Sequence, residues 1–238
     1  MSDWLTIEEW QALALSVKIA CWTIVFSLPV ATFVAWVLAR LRFPGKVLLD
    51  GLVHLPLVLP PVVVGYSLLL AFGKRGPVGA WLDQSFGVSL AFTWQGAVLA
   101  AAVMAFPLMV RAIRLSLEAI DPGLEQAART LGAGRLRLLF TITLPLAAPG
   151  LVAGALLGFA RAVGEFGATI TFVSNIPGVT QTLPLALYAH TEVPGGEAAA
   201  LRLAILSILL AFVALGASEM LARRMKAKLG NSEHKGVR

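Results

Sequence analysis

Apolar runs of about twenty residues recur along the chain, at about 20–39, 55–72, 90–110, 146–163 and 203–221, with shorter polar passages between them. Wound as α-helix, a run of that length crosses the hydrocarbon core of a bilayer. The pattern predicts an all-α polytopic membrane protein, a helical bundle of about five transmembrane spans in a single domain over residues 1–238. Pro29 falls near the middle of the first run and predicts a kink there. The one long polar passage, 121–145, reads as a helix, a turn and a second helix. Asp121 suits an N-cap and Pro122 the first helical position, where no amide donor is needed. A short helix then covers Leu124–Leu131, Gly132 and Gly134 bracket its end, and a second short helix runs from about Arg135 to before Pro145. Gly132 is expected at positive φ. Such a knob is either an amphipathic loop or an element that docks into a partner's groove.

Composition narrows the class. Hydrophobic residues make up 58% and charged residues 13% of the 238, against roughly 25% charged in soluble domains. No length remains for a large soluble domain. The acidic start MSDWLTIEEW lacks the basic region of a secretory leader, so the first span is expected to be retained. The net charge of +6 is carried at the ends of apolar runs, which membrane topology explains better than nucleic-acid binding. Arg40, Arg42 and Lys46 follow the first run, Arg111 and Arg114 the third, and Arg223, Arg224, Lys226 and Lys228 the fifth. Five spans put all three groups on one side, the cytoplasm, leaving the N-terminus, the 73–88 loop and the 174–200 loop outside. Phe166–Val173 reads as the outer end of a long helix or as a re-entrant piece. Cys21, alone in its type and set in an apolar run, reads as a packing residue.

Two runs are chemically unusual. The second contains Pro56, Pro60 and Pro61, each removing a backbone donor inside apolar sequence. Carbonyls left bare in lipid are costly, so this stretch is either a structural kink covered by protein or the lining of a path. The fourth carries Gly150, Gly154 and Gly158, a small-residue stripe for close helix packing. Arg161 and Glu165 follow, four apart and so on one helix face, as a structural ion pair or a gate. His54 reads as a satisfied interfacial histidine, His190 and His234 as ordinary loop residues, and no cluster has metal-ligand spacing. Neither a phosphate-binding G-x-x-x-x-G-K-[ST] loop nor a nucleophile elbow or zinc motif occurs, so the chain is expected not to be an enzyme, to hold no cofactor and not to hydrolyse ATP itself.

The central passage resembles the EAA loop of ABC importer permeases through Gln126, Ala127, Ala128, Gly132, Ile142, Leu144 and Pro145. Gln126 stands at the nominal Glu position and Glu125 precedes it, so either carries the family's acidic role. The stretch ARAVGEFGATITFVSNIPGVTQTLP resembles the molybdate branch of those permeases, and LPLVLPPVVVGY fits the molybdate and sulfate branches alike. The resemblance covers about Leu55 to Glu197. It implies a MetI-like fold in the inner membrane, with residues 121–145 as the cytoplasmic surface that docks into a separate ATPase subunit. It further implies a homodimer with two copies of that ATPase, an external oxyanion-binding protein, and alternating access to a central path. Pro60, Pro61, Arg161 and Glu165 are the candidate pathway or gate residues. A sulfate or tungstate permease is the nearest alternative. An ATP-independent secondary transporter or a membrane-anchored assembly factor would not need the knob.

Overall fold

The computed structural model describes residues 5–235. The first residues of the acidic N-terminus and the side chains of Arg223, Arg224, Lys226 and Lys228, on which part of the expected topology rests, lie outside the described residues, as does the side chain of His234.

Every element described is helical. Helix α1 spans Ile7–Arg40, starting well before the first apolar run. A capping box begins it there: the Glu9 amide donates to Thr6 Oγ1 at 3.2 Å, and the Thr6 amide donates to Glu9 Oε2 at 2.8 Å. Glu9, Ala12, Ser16 and Ile19 then form a buried face on the early turns. The helix runs through Pro29 without interruption. Cys21 is exposed on α1, so it is not a packing residue within this chain.

The second apolar run is not one helix. Helix α2 (Lys46–Val58) and helix α3 (Pro61–Phe72) meet at 114°. The break lies where consecutive prolines forbid a helix from continuing. Leu59, preceding a proline, is extended at φ −71°, ψ 141°, and Pro60 at φ −56°, ψ 134°. Pro61 occupies the first turn of α3, where its missing donor costs nothing. Pro56 stays inside α2. Helix α4 (Pro77–Phe86) then occupies the 73–88 loop.

Helix α5 (Trp94–Glu118) is the central post of the bundle. Thr93 caps it by accepting from the Gly96 amide at 3.2 Å. Its buried residues Met109, Val110, Ile113 and Leu117 form one core with Ala31, Ala35 and Leu38 of α1. Helix α6 (Pro122–Thr130) follows, and α7 (Arg135–Leu138) comes after a glycine turn. The second helix of the knob does not stop before Pro145. It passes through a π turn at Leu139–Thr143 into helix α8 (Leu144–Val163). The wider turn changes the register just where Pro145 has no amide to offer the preceding turn. Leu136–Val163 thus forms one apolar rod of 28 residues.

Gly150, Gly154 and Gly158 are buried on α8 and face α5. A Cβ at Gly154 would lie 3.1 Å from Ile113, and one at Gly158 would lie 2.7 Å from Met109 Sδ. The stripe is therefore a packing surface. Phe166–Val173 is neither the end of α8 nor a span of its own. A separate short helix α9 (Gly167–Val173) follows a break at Gly164–Phe166. Helix α10 (Leu183–Thr191) and the long helix α11 (Glu197–Lys235) complete the chain. Four stretches are long and apolar enough to cross a membrane, Ile7–Arg40, Trp94–Glu118, Leu136–Val163 and Glu197–Ala214, and the bent α2–α3 pair makes a fifth. The last begins at Glu197 rather than near 203, and Arg202 within it is paired rather than left free. Its Nε and Nη2 both donate to buried Glu9 Oε1, at 3.0 and 2.8 Å.

Candidate functional site: a projecting knob and two facing helix breaks

The knob begins as its sequence dictates. Asp121 Oδ1 accepts from the Gly123 amide at 2.8 Å, and Pro122 opens α6. The helix closes with the Gly132 amide donating to Arg129 O at 3.0 Å and the Ala133 amide to Ala128 O at 3.0 Å. That reversal requires the φ of +85° found at Gly132, and a Cβ there would meet nothing within 4 Å. None of α6 is buried. Gln126 and Ala127 are exposed and Ala128 half-buried. Around them Leu124, Leu131, Leu136 and Phe140 lie open, with Leu131 88% exposed. Ile142 and Leu144 are half-buried at the root of the knob, and Pro145 is exposed there. Exposed apolar side chains at these positions are what a contact surface would present.

Glu125 points the other way from Gln126. Its Oε1 accepts from Arg40 Nη2 at the end of α1 and from Thr143 Oγ1 in the π turn, both at 3.0 Å. From sequence, Arg40 reads only as a topology charge after the first apolar run, and Thr143 carries no signal of its own. Positions so far apart in the chain carry no local pattern that would join them. The same is true of a second network, in which Asp50 and His54 of α2 meet Arg114 and Glu118 of α5. Arg114 Nη1 donates to Asp50 Oδ2 at 3.0 Å and its Nε to Glu118 Oε1 at 2.7 Å, while His54 Nδ1 lies 2.9 Å from Asp50 O. His54 is satisfied in this way, as its sequence position suggested.

The four pathway candidates converge where two broken helices face each other. The break at Leu59–Pro60 turns the start of α3 toward the start of α9. The contact is close enough that a Cβ on Gly167 would lie 2.7 Å from Pro61 Cβ, and one on Gly65 would lie 2.8 Å from Ala168 Cα. Glu165, its side chain 1% exposed, sits just before α9 and accepts at Oε1 from the Ala168 amide at 2.8 Å. The carboxylate so satisfies a free donor of the first turn and lies at the positive end of the helix. Arg161 of α8, one quarter exposed, pairs with the other oxygen, Oε2, which makes no hydrogen bond. Broken helices with amide ends and a buried charge pair are the means by which a membrane protein tolerates irregular backbone at depth.

Comparison with known proteins places this architecture. The sequence profile of the family described as "binding-protein-dependent transport system inner membrane component" matches residues 27–227. The chain belongs to that family. Among its relatives, the molybdenum transport system permease protein of Escherichia coli strain K12 is 61% identical over 226 residues, covering 95% of this chain and 99% of the relative. The corresponding protein of Haemophilus influenzae is 59% identical over 222 residues, covering 93% and 97%. A sulfate transport system permease protein of Escherichia coli strain K12 is 39% identical over 181 residues, covering 75% and 65%. Two solved structures share the fold at low identity. A bacterial alginate ABC transporter aligns at TM-score 0.74 and 16% identity over 92% of this chain and 80% of that one, and a methionine ABC transporter at 0.68 and 19% over 91% and 94%. This permease is therefore a multi-pass membrane subunit of the ABC importer type, with the MetI-like fold.

Proposed function

We propose that this chain forms the translocation path of an ATP-driven molybdate importer and couples that path to ATPase subunits held on its knob. The observation that carries the reading is the near end-to-end similarity to molybdenum permeases, which exceeds that to the sulfate permease in both identity and extent. The working unit is a homodimer bearing two ATPase subunits on the cytoplasmic side and an oxyanion-binding protein outside. ATP and magnesium belong to the ATPase chains. In this chain the groups with work to do are those that dock, move and line. Gln126, Ala127, Ala128 and Gly132 form the docking face, small enough for close approach, and Leu124, Leu131, Leu136 and Phe140 supply apolar contact area. Closing of the ATPase pair carries the knobs with it, and the rigid rod Leu136–Val163 conveys the displacement to Arg161 and the α3–α9 contact. Opening and closing of the facing breaks at Pro60, Pro61 and Glu165 alternates access.

The docking face is tested by Gly132→Val and Ala128→Glu. Valine at φ +85° costs about 1–2 kcal/mol in backbone strain alone, with no clash to add to it. Both variants are expected to reach the membrane while co-purified ATPase and molybdate uptake fall together. Retention of ATPase binding and of uptake in both would remove the knob as the coupling surface.

A further inference from the structure

We infer that Glu125 is the inward tie of the coupling knob, a positioning residue that links the docked surface to α1 and to the root of α8, and that Gln126 beside it meets the ATPase partner. The inference rests on the permease reading above and deepens it. Helix α6 has no fully buried residue, so apolar packing holds it on the bundle only weakly and polar contacts carry more of its placement. On the described residues of α6, one side chain reaches the membrane helices by hydrogen bonds, and it is Glu125. A single carboxylate oxygen receives Arg40 Nη2 from the last residue of α1 and Thr143 Oγ1 from the last residue of the π turn.

The surroundings make this tie stronger than a surface ion pair. The side chains of Arg40 and Glu125 are 18% and 13% exposed, and Thr143 is buried. A charge-assisted hydrogen bond shielded to that degree is weakened less by water and salt than an open pair. The contact borders a cavity of about 450 Å³ lined by Trp36, Arg40, Glu125, Arg129, Leu139 and Thr143. Arg40 Nε is buried and without a hydrogen-bond partner, so the guanidinium keeps a second donor beside the one it gives the carboxylate. The π turn has a part as well. Each residue of a helix turns the next by about 100°, so removing the extra residue of the turn would swing Thr143 away from Glu125.

The consequence is a division of labour between adjacent residues. Gln126 and Ala127 are exposed for the partner, while Glu125 carries the displacement inward to two membrane helices at once. Loss of Glu125 should leave the ATPase docked and turning over but disconnected from the path.

The test uses the full permease, with Cys21→Ser as background, reconstituted with its ATPase and binding protein. Co-purified ATPase, ATP turnover and molybdate moved per ATP are measured for Glu125→Gln, Arg40→Gln, Thr143→Val, Gln126→Ala and the exchanged pair Arg40→Glu with Glu125→Arg. Glu125→Gln should keep its ATPase and its ATP turnover while molybdate per ATP falls about tenfold, as expected for loss of a shielded charged hydrogen bond. The exchanged pair should recover most of that loss, which a merely structural defect would not. Gln126→Ala should instead weaken ATPase retention. The inference is overturned if Glu125→Gln releases the ATPase while Gln126→Ala does not, or if molybdate per ATP is unchanged. Should the wild type hydrolyse ATP on stimulation by the binding protein yet import no molybdate, the cargo assignment fails by itself. Glu125 is then judged by a spin label at Arg42→Cys, beside α1: ATP should change its environment in the wild type and not in Glu125→Gln, and equal changes in both refute the tie.

Discussion

At the scale of single residues, charge in an apolar setting decides most. Glu165 is buried, with Arg161 at one oxygen and the Ala168 amide at the other. Removing one partner of a buried pair costs about 3–5 kcal/mol, because the remaining charge is stranded, whereas removing both charges together is far milder. Arg161→Gln alone is therefore expected to lower uptake more than Arg161→Gln combined with Glu165→Gln, since glutamine at 165 still accepts from Ala168. Uptake corrected for the amount of permease in the membrane reads this out, and equal losses would remove the pair from the path. The Arg161–Glu165 relation was legible in the sequence because a spacing of four places both on one helix face. The role of Glu165 at the start of α9 was not, because it depends on where α8 stops. Likewise Glu125 and Gln126 are indistinguishable as neighbours in a motif, and only the position of Arg40 assigns one inward and the other outward.

At the scale of elements, the apolar runs foretold that helices would form, and prolines and caps determined where they begin and end. Thr6 and Glu9 start α1 earlier than hydropathy alone suggests. Two adjacent prolines turn one run into α2 and α3, and a π turn joins the knob's second helix to α8 where Pro145 had suggested an end. Hydropathy averages over such local chemistry and cannot report it. Beyond the break, α3 lies close against α9 at Gly65 and Gly167. Gly65→Leu should force those helices apart and lower stability by about 1–3 kcal/mol, the usual cost of overfilling a packed contact. Gly51→Ala, on α2 with nothing within 4 Å of its Cβ, should be neutral or raise stability by about 0.5–1 kcal/mol through helix propensity. Thermal denaturation of the purified permease distinguishes the two. A destabilised Gly51→Ala beside an unaltered Gly65→Leu would mean that α3 and α9 do not pack as described.

For the whole molecule, orientation and cargo are the properties that matter. With α2 and α3 counted as one broken span, five crossings are expected to leave the knob, the residues after α1 and the basic residues near the C-terminus on a single side. In a Cys21→Ser background, a cysteine at Ser232 should be silent to an impermeant thiol reagent in intact cells and react once the membrane is opened, whereas reaction in intact cells would reverse the topology. On this reading the permease moves molybdate at the expense of ATP. The most direct test is accumulation of radiolabelled molybdate in proteoliposomes containing the permease, its ATPase and its binding protein, with ATP supplied on the ATPase side. Uptake that requires hydrolysable ATP, is absent without the binding protein and persists against excess sulfate is the predicted result. Uptake without ATP, or sulfate accumulation in preference to molybdate, would contradict it.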